Sequence, residues 1–109
     1  QDYVKRARIL PAIQGLSARA TQMEQCYQDN HTYDPTPACR ACNTATDDHF
    51  EFSCEKTATT FTLTATGQDM MSGFVYTVNQ AGARTSTITG HSGWTGNGSC
   101  WVTSKGGAC

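Results

Sequence analysis

The chain has 109 residues, a formal net charge of −1, 16% charged residues and 38% hydrophobic residues. That is room for one small domain, not for a cofactor domain joined to a substrate domain. The near-neutral charge argues against a generic nucleic-acid binder, which is normally basic, and no run of about 20 apolar residues is present to span a bilayer. Six cysteines, Cys26, Cys39, Cys42, Cys54, Cys100 and Cys109, are the most informative count. An even number in a short chain rich in Thr and Gly points to a disulfide framework and so to an oxidising compartment. Spacing alone does not choose among the pairings. Each bridge adds roughly 2–4 kcal/mol, a large share of a small domain's stability.

Residues 1–30 read as a helix. Tyr3, Ala7, Leu10, Ile13, Leu16, Ala20, Met23 and Tyr27 recur at steps of three or four, predicting one apolar stripe. Pro11 lies inside the pattern and predicts a kink, because it lacks a donor and crowds the preceding turn. The helix should stop near Asp29 and Asn30, ahead of Pro35 and Pro37. Its start has no cap signal, so it is expected to continue upstream. Residues 31–48 have no period and read as a loop pinned by disulfides.

Residues 49–89 change to a period of two. Phe50, Phe52 and Cys54 make one alternating run, Phe61, Leu63 and Ala65 a second, Phe74, Tyr76 and Val78 a third. Arg84 to Ile88 is a weaker fourth strand. Gly67 to Gly73 and Gln80 to Gly82 supply turns, and the intervening threonines suit solvated strand positions. Residues 90–109 form a Gly-, Ser- and Trp-rich tail ending in Cys100 and Cys109. The expected domain is therefore α+β, with a long helix laid on about four antiparallel strands.

Chemistry-bearing patterns are weak. Cys39-Arg40-Ala41-Cys42 has redox spacing, but it follows a proline-rich loop rather than a strand. Zinc binding by this pair with Cys54 lacks a second pair at finger spacing. His31, His49 and His91 are scattered, and no nucleophile elbow occurs. No catalytic, cofactor-binding or metal-binding residue is predicted, and the chain is not expected to be an enzyme. Trp94 and Trp101 read either as binding anchors or as cover for a thin core. Asn30-His31-Thr32 and Asn97-Gly98-Ser99 match the N-glycosylation pattern.

Several segments together resemble a known family. Residues 1–9 look like the stretch after the apolar segment of a type IV pilin, and Met23 to Tyr33 resembles that family's helix end. Phe50 to Cys54, residues 61–65, and Gly73 to Gly82 resemble strands of PilE-like minor pilins; Cys100 to Cys109 resembles their terminal disulfide segment. The resemblance implies an ectodomain whose upstream apolar helix is processed by a prepilin peptidase, methylated, anchored in the inner membrane and then packed into a helical fibre. Location would be inner membrane and periplasm first, then the extracellular pilus of a bacterium. It also implies the bridges Cys39–Cys54 and Cys100–Cys109. Cys26 and Cys42 depart from the family pattern and are expected to pair, although this pair and Cys39–Cys54 can exchange partners. The terminal cysteines argue against the calcium-carrying pseudopilins.

The function implied is a minor pilin in pilus assembly or initiation, and so in twitching motility, adhesion or DNA uptake. Two alternatives stand beside it: a receptor pilin for DNA or a surface ligand, and the major fibre subunit. Other pilins are the expected partners, with no small-molecule substrate and no cofactor. The candidate interaction surface is Trp94, Lys105, Arg84, Lys5, Arg6 and Arg8. DNA capture needs a cationic stripe, whereas Arg40, Lys56, Arg84 and Lys105 are few and interrupted by Asp47, Asp48, Glu51 and Glu55.

Overall fold

The computed structural model describes residues 2–33, 45–46 and 49–109. Helix α1 spans Asp2–Asn30, and at about 1.5 Å per residue its 29 residues account for the 44 Å long axis of the molecule. It ends where expected: His31 is in the left-handed region, with φ 59°, and its N–H donates to the Tyr27 carbonyl.

The buried helix face differs from the predicted stripe. Ile9, Ala12, Leu16, Met23 and Cys26 are buried, with Ile13, Ala20 and Tyr27 packed at their flanks. Tyr3 is 85% exposed and Leu10 43%. The reason is angular. At 3.6 residues per turn, Tyr3, Ala7 and Leu10 lie roughly 100–160° around the helix from Ile9. Steps of three and four therefore joined two different faces. Pro11 falls nearly opposite the core and is exposed, and the helix runs through it without interruption.

Five antiparallel strands form a meander in the order β1-β2-β3-β4-β5. They are β1 (Ala45–Thr46), β2 (Phe50–Lys56), β3 (Phe61–Gly67), β4 (Phe74–Asn79) and β5 (Arg84–Ile88). The four expected strands are present; the two-residue β1, paired with Glu51 and Phe52, has no pattern in the sequence to announce it. Alternation sends Phe50, Phe52, Phe61, Leu63, Ala65, Phe74, Tyr76 and Val78 to the helix side. Thr62, Thr64, Glu51 and Glu55 take the solvent side. Gly15 explains how closely the two layers approach, since a Cβ there would sit 2.8 Å from the Phe52 ring. The Arg19 guanidinium covers the same ring at 4.6 Å.

The tail is part of the core rather than a surface loop. Trp94, Trp101 and Val102 are buried. Asn97 bridges to Ser86 through two backbone hydrogen bonds of 2.7 and 2.9 Å, which covers part of the exposed edge of β5. The buried Ser86 hydroxyl donates to the Cys100 carbonyl and accepts from Val102 N–H at 2.9 Å. The Tyr76 hydroxyl, from the middle of the sheet, donates to the Val102 carbonyl at 2.8 Å. The Cys100–Cys109 bridge is formed as expected. Cys26 and Cys54 are both in disulfides. Cys39 and Cys42, their expected partners, lie outside the described residues, as does the redox-spaced motif itself.

Candidate functional site

Three of the predicted surface residues come together. Arg6, Trp94 and Lys105, with Tyr3, Thr103 and Ser104, line a cleft of about 440 Å³ between the first two turns of α1 and the tail. Each wall has a local cause. Helical spacing puts Tyr3 and Arg6 three residues apart on one side of α1. Thr103 and Ser104 are held because their N–H groups both reach the Ala108 carbonyl inside the disulfide loop, at 2.9 and 3.3 Å. Lys105 is placed by Gly93, whose φ is +80° and whose missing Cβ leaves room for the lysine stem; an added methyl would lie 3.2 Å from Cδ and Cε. The Gly106 N–H donates to the Gly93 carbonyl at 2.9 Å and locks this approach.

Trp94 is 4% exposed, so it is not the exposed anchor considered from the sequence. Its ring packs edge-on against Phe74, with centroids 5.4 Å apart, and Phe74 also carries His91 at 4.5 Å. The indole Nε1–H is buried and has no hydrogen-bond acceptor among the described residues. An unpaired buried donor costs about 1–3 kcal/mol. The cleft is thus walled partly by aromatic surface and carries the cationic side chains of Arg6 and Lys105. Tyr3, Thr103 and Ser104 were not singled out in the sequence; their one signal was proximity to Arg6 and Lys105.

The remaining candidates sit elsewhere. Arg84 stacks on Trp101 at 4.2 Å, inside a second groove of about 460 Å³ that also contains Glu24, Gln28 and Asn79. Arg8 donates to the Met70 sulfur at 3.2 Å, and Met70 is 65% exposed. Lys5 is half-buried on α1. The Lys56 ammonium donates to the Tyr33 carbonyl at 2.9 Å, which gives it a structural task. His91 is likewise structural, bonding the Ser72 carbonyl at 2.8 Å. Among the described residues no group of three or more His, Cys, Asp or Glu could hold a metal ion. The disulfide at Cys54 removes it as a zinc ligand. No described helix is long and apolar enough to cross a membrane.

Comparison with known proteins adds the family. The model of the family described as type IV minor pilin ComP, DNA uptake sequence receptor, matches residues 1–87. The solved structure of a type IV pilin from Shewanella oneidensis matches with a TM-score of 0.63 and 24% sequence identity, covering 73% of this chain and 89% of that one. That likeness establishes the pilin fold. No curated protein matches.

Proposed function

The chain belongs to the type IV minor pilin family of ComP, the DNA uptake sequence receptor, and from that premise we propose that it captures double-stranded DNA on a type IV pilus. The family match over residues 1–87 is the observation that carries this reading. The net charge of −1 looks unfavourable, but the distribution of charge is better than the total. Glu51 and Glu55 project from the solvent side of β2, on the face of the sheet away from the helix. Arg6 and Lys105 come together around the start of α1 and the tail, while Arg8 lies on another side of the helix against Met70. Phosphate contacts from Arg6 and Lys105 would supply the sequence-independent part of affinity.

Assembly follows the same premise. The exposed Tyr3 and Leu10 face of α1 supports packing against the helices of other pilins. An apolar helix upstream would hold the subunit in the inner membrane before it joins the extracellular fibre. The chemistry is docking and binding; no reaction is assigned to any residue.

Gel retardation of duplex DNA tests the capture. Retardation at low salt is expected, with a slope of log affinity against log salt of about −2 for two phosphate contacts. The double variant R6Q/K105Q should abolish it while leaving the fold intact. No retardation at high micromolar protein and low salt overturns DNA capture. A gene deletion that leaves piliation, twitching and DNA uptake unchanged overturns the pilus role as well.

A further inference from the structure

We propose that Met70 is an oxidation site: a peroxide converts its thioether to a sulfoxide, and the new oxygen accepts from the Arg8 guanidinium, tying the early part of α1 to the β3–β4 turn. Two observations carry this, and neither depends on the pilin family or on DNA capture. The first is exposure. The chain has three methionines, of which Met23 and Met71 are fully buried, whereas Met70 is 65% exposed. An oxidant therefore meets one methionine sulfur in the folded protein and reaches the other two only through local opening. The second is the neighbour. An Arg8 guanidinium N–H already donates to the Met70 sulfur at 3.2 Å, between residues 62 positions apart in the sequence.

The backbone of the turn holds Met70 in that place. Asp69 has φ 53°, in the left-handed region that few side chains adopt. The Met71 N–H donates to the Gln68 carbonyl at 2.9 Å, the Ser72 N–H to the Asp69 carbonyl at 3.1 Å, and the Gln68 N–H to the His49 carbonyl at 2.8 Å. Gly67 lets the turn close on itself, since a Cβ there would collide with the Met71 carbonyl oxygen. The turn thus sends Met71 into the core and leaves Met70 on the surface beside α1.

The chemistry is a two-electron oxygen transfer. A sulfur lone pair attacks one oxygen of hydrogen peroxide or an organic hydroperoxide, and the S–O bond forms as the O–O bond breaks. The proton on the transferred oxygen passes to the leaving oxygen, which departs as water or as an alcohol. Sulfur loses two electrons and the peroxide gains them. Met70 is the substrate of this modification, not a catalyst. A thioether is a weak acceptor, whereas a sulfoxide is polar, and hydrogen bonds from an ionised donor are the strong ones. Oxidation therefore exchanges a weak contact for a charge-assisted one between the same two residues.

Brief treatment of the folded protein with millimolar hydrogen peroxide, followed by tandem mass spectrometry, should add one oxygen to Met70 at least about tenfold faster than to Met23 or Met71. Similar rates at the three overturn the site. Denaturant unfolding of oxidised and reduced protein reads the tie to α1. Oxidation should lower the unfolding equilibrium constant about fivefold in the wild type and leave it unchanged in Arg8→Gln, which still takes up the oxygen. Met70→Leu should show neither early oxygen uptake nor a stability response. Met70→Gln, which offers an amide oxygen as acceptor without any oxidant, should be more stable than Met70→Leu only while Arg8 is present. An equal stability change in the wild type and in Arg8→Gln, or none in either, overturns the tie.

Discussion

The tail meets the rest of the molecule through two tryptophan environments, and they are built differently. Around Trp101 every polar requirement is met. Its indole N–H bonds the Thr77 carbonyl, its ring lies under Arg84, and the neighbouring Val102 donates its N–H to the Ser86 hydroxyl and accepts from Tyr76. Around Trp94 the apolar packing is as complete, at 4% against 5% exposure, but the indole N–H has no acceptor among the described residues. Equal burial thus comes with unequal hydrogen bonding. The Trp101 end fixes the tail to the sheet through hydrogen bonds; the Trp94 end is held by ring packing on Phe74.

The largest expected effect tests whether both environments hang on one core. Phe74 touches Trp94, His91 and Tyr76 and is fully buried. Phe74→Ala should destabilise by about 3–5 kcal/mol in chemical denaturation, with the transition staying single. An early, separate loss of the Trp94 environment would make the tail an independent unit. Next in size is the tail bridge. Replacing Cys100 and Cys109 together by serine opens a short loop and should cost about 2–3 kcal/mol. It should also loosen Thr103 to Lys105, whose backbone is tied inside that loop, more than it disturbs Trp101.

Tyr76 links the sheet to the Trp101 end. Tyr76→Phe keeps the ring but strands the Val102 carbonyl, at an expected cost of about 1–2 kcal/mol. It also changes the pH response. Burial pushes the Tyr76 phenol well above its ordinary value near 10. Tyr33 is raised in the same direction by burial, then by Glu24 and Tyr27. A phenol whose pKa is higher folded than unfolded contributes fully below the unfolded value. Stability should therefore be flat in this respect up to about pH 10 and fall above it, by up to about 1.4 kcal/mol per pH unit for each phenol. Tyr76→Phe should shallow that alkaline fall, and an unchanged slope would show that Tyr76 does not carry it.

Much of the architecture was legible because it rests on local periodicity. The strands at Phe50, Phe61, Phe74 and Arg84 follow from alternation, and the helix stop follows from the proline-rich loop beyond it. The helix face was misread at its start, since Tyr3, Ala7 and Leu10 keep the right steps on the wrong side. Periodicity reports that a face is apolar; only the partner layer decides which apolar face is covered. Gly15 was silent for the same reason, because its meaning is a contact with Phe52, 37 positions away in the sequence. Three of the residues lining the cleft, Arg6, Trp94 and Lys105, are also candidates from the sequence. Their meeting was not legible, since it depends on the tail folding back across the start of α1. Arg84 was grouped with them as a cation, yet its place at the start of β5, over the Trp101 ring, gives it a different neighbour and a different groove.

The smallest effect bears most directly on the two environments. Trp94→Phe and Trp101→Phe remove the same atoms from equally buried positions, so their packing losses should be similar, about 1–2 kcal/mol each. The hydrogen-bond terms have opposite consequences. Trp101→Phe also deletes a bond and leaves the Thr77 carbonyl without that donor. Trp94→Phe deletes a donor that had no partner and so relieves a penalty. Trp101→Phe should therefore be the more destabilising of the two by about 1–2 kcal/mol, measured by denaturant midpoints at constant slope. Equal losses would mean that the Trp94 N–H is satisfied in solution, and the contrast between the two ends of the tail would be gone.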